Sequence, residues 1–331
     1  MNSKVKIAIG LLILILVVGG VWYFAYSNQQ VISIEATKIR VANLPSLHGL
    51  PFYLAIEKGY FKDAGLDIEM TKFEAPNQII DAVISGQVDF TSTSGASGIA
   101  AVADFKNSGK IKIYALSGGD NVVPNDSIVV QKDSTIKSIQ ELRGKKVGIL
   151  PGIQWRTIVK SVFTQHNLDS DKDITIVELA PALQAQALAS GQIDALVAIE
   201  PMLTTVKGKD IGKEIVRGMT NQFIANPFYG GAGIVNVDFA KKNPTTTAKI
   251  IEIVDRAIKE IKENPQITNQ YLKGYTPLED GLLQQAPVLR FQMANNLTSD
   301  EITAGQKFLD IFSTYKIIDG KIDFEKLLYK P

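Results

Sequence analysis

Two stretches of this chain recur at a constant distance. Ala75-Pro76 returns as Ala180-Pro181, and Ser85-Gly86-Gln87-Val88-Asp89 returns as Ser190-Gly191-Gln192-Ile193-Asp194, each 105 residues further on. Leu44-Pro45 is echoed by Leu150-Pro151 at a spacing of 106. Such a period exceeds that of solenoid repeats, which run about 20–50 residues. It implies two similar α/β lobes, and two lobes enclose a gap in which a ligand is best sought.

The first thirty residues carry a second constraint. Lys4 and Lys6 precede an uncharged run from Ile7 to Tyr26, twenty residues long. At about 1.5 Å per residue that is enough to cross a hydrocarbon core of about 30 Å. Lysines before the run and none just after it place the N-terminus in the cytoplasm and the rest outside. Two readings are open: an uncleaved anchor, and a signal peptide cut at the small-x-small site Ala25-Tyr26-Ser27. The run is longer than the usual secretory core of about 7–15 residues, which favours the anchor. The chain has no cysteine, so disulfides and a lipid-bearing cysteine are excluded.

Along the remaining chain, strands are expected at Lys38–Asn43, Leu66–Phe73, Val88–Phe90 and Ile111–Leu116, alternating with helices after Pro51, around Ile79–Ile84 and after Ser97. The second lobe repeats this with strands at Lys146–Leu150, Ile174–Leu179 and Ile193–Ile199. Helices over Trp155–His166 and Leu183–Ala189 lie between them. Such βαβ runs predict largely parallel sheets. Ser127–Gln131 and Gly233–Val237 are expected to be the two crossing strands of a hinge. The tail from Asp238 is expected to be helical with proline breaks and to pack on the first lobe. The fold class is therefore α/β: two βαβ-type lobes joined by a two-strand hinge, preceded by one N-terminal transmembrane helix or signal. The expected domains are 1–27 (anchor or signal), 28–37 (tether), 38–130 plus 238–331 (lobe I) and 131–237 (lobe II).

Thirty-five basic and 34 acidic residues leave a net charge of +1, which gives no support for nucleic-acid binding. No G-x-S-x-G, P-loop or H-E-x-x-H motif is present. The two histidines, His48 and His166, are too far apart in sequence to make a metal site, and no cofactor is implied.

Several segments resemble a known family. They are His48-Gly49-Leu50-Pro51-Phe52-Tyr53-Leu54-Ala55 with Lys58-Gly59-Tyr60-Phe61, Ala64-Gly65-Leu66-Asp67-Ile68, and the two Ser-Gly-Gln-x-Asp motifs. Leu142-Arg143-Gly144-Lys145-Lys146-Val147 and Glu200-Pro201 add to them. In order and spacing they resemble type II periplasmic substrate-binding proteins of ABC transporters, in the nitrate/sulfonate/taurine and thiamine-precursor branch (SsuA/TauA/NMT1-like), over roughly residues 38–240. The resemblance implies an extracytoplasmic binder, not an enzyme, that closes on a small anionic or zwitterionic organic solute such as a sulfonate and delivers it to a membrane permease with its ATPase. It implies a monomer, held at the membrane by the N-terminal helix or secreted after cleavage. Two other functions stay open. One is binding, or enzymatic synthesis, of a thiamine pyrimidine precursor, although the enzymes use a cysteine-rich motif that this chain lacks. The other is a membrane-tethered ligand sensor acting through a separate partner.

Ligands of open α/β sheets sit beyond the carboxyl ends of strands. Here those ends are the loops 44–50, 91–97, 117–119 and 150–155. Ser46, Thr93, Ser94, Gly95, Ser97, Ser117, Gly152 and Gln154 are the small and polar candidates they offer, beside helix starts with unpaired N–H groups. Ser and Gly are also common turn residues. Arg156 suits two hydrogen bonds to an oxyanion; the alternative is a solvated surface arginine. Trp155 is a stacking surface or a core residue, and His48 a ligand contact or a turn residue. Glu200 is a partner for a ligand amine or a hinge residue, and Tyr229 offers its hydroxyl. Asp89 and Asp194, equivalent in both lobes, are expected to be structural.

Overall fold

The computed structural model describes residues 37–330 apart from Ser108. The expected anchor or signal at 1–27, and all of the tether but Thr37, lie outside the described residues. Among the described residues no helix is long and apolar enough to cross a membrane.

The repeat is visible as two equivalent parallel triplets. The first is β1 (Lys38–Asn43), β2 (Asp67–Lys72) and β3 (Phe90–Thr91), arranged β2-β1-β3; β4 (Gly95–Ala96) follows β3 and pairs with β11. After the long strands β5 (Ile111–Gly119) and β6 (Asp126–Gln131) comes the second triplet. It comprises β7 (Lys146–Ile149), β8 (Thr175–Glu178) and β9 (Ala195–Ile199), arranged β8-β7-β9. β10 (Gly212–Arg217), β11 (Phe228–Asn236) and β12 (Arg290–Met293) complete the set. The full orders are β12-β5-β11-β3-β1-β2 in one sheet and β10-β6-β9-β7-β8 in the other.

Both sheets are mixed, not largely parallel. β11 lies antiparallel between β3 and β5, and β6 lies antiparallel between β9 and β10. The strand that completes each triplet thus comes from elsewhere in the chain: β11 follows the second repeat but joins the first sheet. The two strands expected to be the crossings, Ser127–Gln131 and Gly233–Val237, coincide with β6 and the end of β11 inside the sheets. The chain passes between sheets in segments 120–125 and 218–227. Both strands are buried almost throughout, around the apolar stretches Ile128-Val129-Val130 of β6 and Ile234-Val235 of β11.

Helix boundaries follow local chemistry. The helices Pro76–Ile84 and Pro181–Ala189 both begin on the proline of the repeated Ala-Pro pair, where a missing N–H costs nothing. Both end at Ser-Gly, with Gly86 at φ 75° and Gly191 at φ 72°, a left-handed conformation that glycine adopts without a Cβ penalty. In the first helix Ile79, Ile80 and Val83 recur at helical spacing and are buried against the sheet.

The tail does more than pack on the first half. Its long helix Pro244–Glu263 lies on the helix Leu50–Glu57, and β12 joins the first sheet. The helix Ser299–Thr314, started by a capping box of Thr298 and Glu301, touches the helix Ser97–Lys106 and also the second repeat's helix Ile153–Gln165. Lys209 pairs with Glu279 across the same divide. Besides the expected packing on the first half, its apolar side chains Phe308 and Phe312 reach the same core as Trp155 and Phe163.

Candidate functional site

A cavity of about 70 Å³ lies between the carboxyl ends of the two parallel triplets. Corresponding residues of the repeats face each other across it. Leu44, which follows β1, has its counterpart in Leu150 after β7, and Pro76 has its counterpart in Pro181. Gln154 and Trp155, from the first turn of the helix Ile153–Gln165, and Glu200-Pro201-Met202, after β9, come from the second repeat. Gly230 and Gly231 of β11 and Pro277 of the tail complete the wall.

Seven of the residues expected from the sequence line this cavity: Ser46, His48, Ser94, Gly95, Gln154, Trp155 and Glu200. The others are held elsewhere by identifiable bonds. The Thr93 hydroxyl donates to the His48 carbonyl, and Ser97 Oγ donates to the Tyr229 carbonyl at 2.7 Å. Ser117 Oγ lies 2.8 Å from His48 Nδ1 and donates to the Thr93 carbonyl at 2.8 Å. Gly152 precedes the helix Ile153–Gln165 with φ 113°. Arg156 is half exposed, and its Nε donates to Glu178 Oε1 at 2.6 Å. A helix turn advances about 100° per residue, so Trp155 faces inward while its neighbour Arg156 turns to solvent. The Tyr229 hydroxyl donates to Glu301 Oε1 at 2.6 Å and accepts from Arg290 Nε at 2.7 Å, a cluster outside the cavity lining in which Tyr229 and Glu301 are buried and Arg290 is partly exposed.

The cavity's electrostatics are unusual in what they leave out. Among the described residues its lining contains no lysine or arginine, one carboxyl (Glu200) and one imidazole (His48). Burial pushes Glu200 up to about 7, against the lowering effect of hydrogen bonds from the Thr204 hydroxyl and N–H to Oε2. Burial pushes His48 down to about 4, so the imidazole is neutral. Gln154 is fully engaged across the divide: its Oε1 accepts the Gly98 N–H at 2.8 Å and its Nε2 donates to the Gly230 carbonyl at 3.1 Å. Helices begin at the lining residues Pro76, Pro181 and Met202; the first turn of the Met202 helix is already met by Glu200 Oε2, and that of the nearby Ser97 helix by Gln154 Oε1. Their N-terminal ends carry partial positive charge.

Sequence reasoning missed Asn125, Gln184, Met202 and Pro277. Asn125 and Pro277 lie in a connection and in the tail, where no motif marks them. Pro76 and Pro181 were visible in the repeat and were read only as helix starts. Among the described residues no group of His, Cys, Asp and Glu is arranged to hold a metal ion.

Comparison with known proteins agrees with this architecture. A family model described as NMT1/THI5 like matches residues 48–268. A putative aliphatic sulfonates-binding protein of Bacillus subtilis (strain 168) is 24% identical over 302 residues, covering 89% of this chain and 86% of the relative. A 4-amino-5-hydroxymethyl-2-methylpyrimidine phosphate synthase of Saccharomyces cerevisiae (THI13) is 24% identical, covering 67% of this chain and 65% of the relative. Among solved structures, the alkanesulfonate-binding protein SsuA of Xanthomonas axonopodis pv. citri, bound to MOPS, superposes with a TM-score of 0.72 at 16% identity. That alignment covers 90% of this chain and 99% of the neighbour.

Proposed function

The chain belongs to the NMT1/THI5-like family, and from that premise we propose that it is the extracytoplasmic solute-binding component of an ABC importer. It traps one small organic solute between two lobes and hands it to a membrane permease driven by an ATPase. The observation that carries this is the cavity built from equivalent positions of both repeats, Leu44 with Leu150 and Pro76 with Pro181. A solute there touches both halves at once, so its binding free energy favours the closed arrangement over the open one. The names of the bacterial relative and of the solved neighbour point to the same class of activity.

The site fits a small zwitterion, of the amino-sulfonate kind. The helix starts at Pro76 and Pro181 suit an oxyanion without a cationic side chain, and Glu200 suits an ammonium. One buried water needs about 10–15 Å³, so about 70 Å³ accommodates on the order of five to seven heavy atoms. A second reading, a pyrimidine precursor of the kind named for the yeast relative, is favoured by the Trp155 face in the lining. As a synthase the chain would need another residue for the cysteine chemistry, having no cysteine. We place the binding domain outside the cytoplasm as a monomer, tethered by the Ile7–Tyr26 run or freed by cleavage after it.

Isothermal titration of the purified full chain against sulfonates, amino-sulfonates, nitrate, carboxylates, amino acids and pyrimidines tests this. A ligand at a hundredfold excess over its Kd raises stability by about 2.7 kcal/mol. Binding without turnover and with a smaller radius of gyration is expected. Failure of every member to bind, or chemical conversion of the one that binds, overturns the proposal.

A further inference from the structure

Two residues of the cavity wall each carry a buried polar atom with no hydrogen-bond partner among the described residues: Ser46 Oγ and Asn125 Oδ1. Both residues are more than nine-tenths buried, Ser46 at 6% and Asn125 at 1% exposure. A buried polar atom without a partner costs about 1–3 kcal/mol, so each marks a place where something else must bond.

The direction of the Asn125 amide follows from a chain of bonds beginning at a main-chain carbonyl. The Thr93 carbonyl can only accept, so Ser117 Oγ spends its single hydrogen on it at 2.8 Å. Ser117 Oγ must then accept from His48 Nδ1, 2.8 Å away, which puts the imidazole hydrogen on Nδ1. A neutral ring with its hydrogen on Nδ1 presents Nε2 as an acceptor. Asn125 meets Nε2 at 3.1 Å and must therefore offer its Nδ2 donor there. Its carbonyl oxygen is turned the other way, with no protein donor to meet it. Gly231 lets this relay pack against β11, since a Cβ there would collide with Ser117 Oγ and His48 Nδ1.

We propose that Asn125 Oδ1 is a specificity-determining acceptor, which with Ser46 Oγ and Glu200 forms a subsite for an N–H donor of the solute, so that the cavity selects aminated solutes over otherwise identical amine-free ones. This rests on the solute-binding reading above and deepens it by naming the acceptor, beside Glu200, that selects the amine. The lining supports it by what it lacks: with no lysine or arginine among the described residues, an oxyanion alone has no charged partner, whereas an ammonium has Glu200. Glu200 Oε2 is already occupied by Thr204, and among the described residues no protein hydrogen bond occupies Oε1; Lys207 and Glu214 also act on this carboxyl.

Matched pairs separate this inference from the function it builds on: 2-aminoethanesulfonate against ethanesulfonate, β-alanine against propionate, and 4-aminopyrimidine against pyrimidine. Wild type should bind the aminated member of a pair more tightly. Asn125→Leu should lower that preference, read as the ratio of the two affinities within each pair, by about tenfold to a hundredfold, the value of a hydrogen bond to a charged donor. Equal or tighter binding of the amine-free members by wild type overturns the inference, even though solute binding itself would stand; failure of all pairs overturns both. A second readout needs no solute and survives a variant that fails to fold. The chain has two histidines, and nitrogen NMR with a His166→Gln control assigns the His48 tautomer. A hydrogen on Nδ1 is expected; a hydrogen on Nε2 would turn Asn125 Oδ1 toward the ring and overturn the proposal.

Discussion

Asp89 and Asp194 hold the same place in the two repeats. Each follows the helix that begins at the repeated Ala-Pro and reaches across to the first strand of its triplet. Asp89 Oδ2 accepts the Arg40 N–H of β1 at 2.9 Å, and Asp194 Oδ2 accepts the Lys146 N–H of β7 at 2.8 Å. The return bonds are also equivalent, from Asp89 N–H to the Arg40 carbonyl and from Asp194 N–H to the Lys146 carbonyl. The aspartate therefore ties the third strand of each triplet to the first, a structural job that explains its recurrence.

The two sites differ in what else they hold. Asp89 is buried and also receives the Arg40 guanidinium, with Nε at 3.0 Å from Oδ2. Asp194 is partly exposed and holds the backbone N–H alone. Asp89→Asn should lower unfolding free energy by about 1–3 kcal/mol and Asp194→Asn by about 0.5–1.5 kcal/mol. Urea titrations of both variants check the order; a larger loss at Asp194 would show that the shared geometry does not carry the stability.

Two buried carboxyls make the protein without solute less stable as pH rises. Burial pushes Glu200 up to about 7 and Asp126 up to about 6, the latter in spite of bonds from the Thr220 hydroxyl and N–H. A folded pKa above the unfolded value means that the folded state binds more protons. Stability is then fully present below about pH 4 for these groups and is lost as pH rises through 6 to 7. Glu200→Gln should remove its share, raising the midpoint of urea unfolding at pH 8 by the equivalent of roughly 2 kcal/mol while changing little at pH 4. An equal effect at both pH values would contradict the assignment.

The same carboxyl gives a ligand signature of opposite direction. An ammonium on Glu200 favours the ionised form, so affinity for an aminated solute should rise as pH rises through about 7 in wild type. The rise should vanish in Glu200→Gln. Calorimetry between pH 5.5 and 8.5 reads both, and a pH-independent Kd in wild type would remove Glu200 from the ligand's environment.

Tyr229, Arg290 and Glu301 join β11, β12 and the helix Ser299–Thr314. Burial pushes Glu301 up, but the Thr298 N–H, the Tyr229 hydroxyl and the Arg290 guanidinium outweigh it and hold the carboxyl down at about 2. This contribution is present above the usual glutamate pKa and is lost as pH falls toward 2. Tyr229→Phe should cost about 1–2 kcal/mol by removing one bond to a charged acceptor, with solute affinity unchanged. A loss of affinity without a loss of stability would return Tyr229 to the site.

Arg156→Ala should be nearly silent. Its pair with Glu178 is half exposed, and such pairs contribute about 0–1 kcal/mol. Solute affinity should change less than about threefold, because the guanidinium lies outside the cavity lining. A tenfold loss for anions alone would mean that the helix Ile153–Gln165 turns Arg156 inward when solute binds.

Much of the fold was readable because it is written locally. The Ala-Pro starts, the Ser-Gly ends and the alternation of β1 each act within a few residues. Ser46, His48, Ser94, Gln154 and Trp155 were reachable because loops after parallel strands must meet at one end of a sheet. Arg156 and Tyr229 show where this stops: both sit beside lining residues in sequence, yet a helical turn sends one to solvent and a buried ion cluster takes the other.

What the chain's order of residues determined by itself was the duplication, and with it two βαβ triplets whose carboxyl ends face a shared gap. That follows from short-range rules of capping, turns and periodicity, repeated at a fixed spacing. Only the tertiary structure decided that β6 and β11 insert antiparallel into their sheets and that the tail bridges both halves. It also decided that His48, Ser117 and Asn125, drawn from three separate segments, form one directed chain of hydrogen bonds. Those outcomes depend on which distant donors meet which acceptors once water is excluded, and no local pattern encodes that pairing.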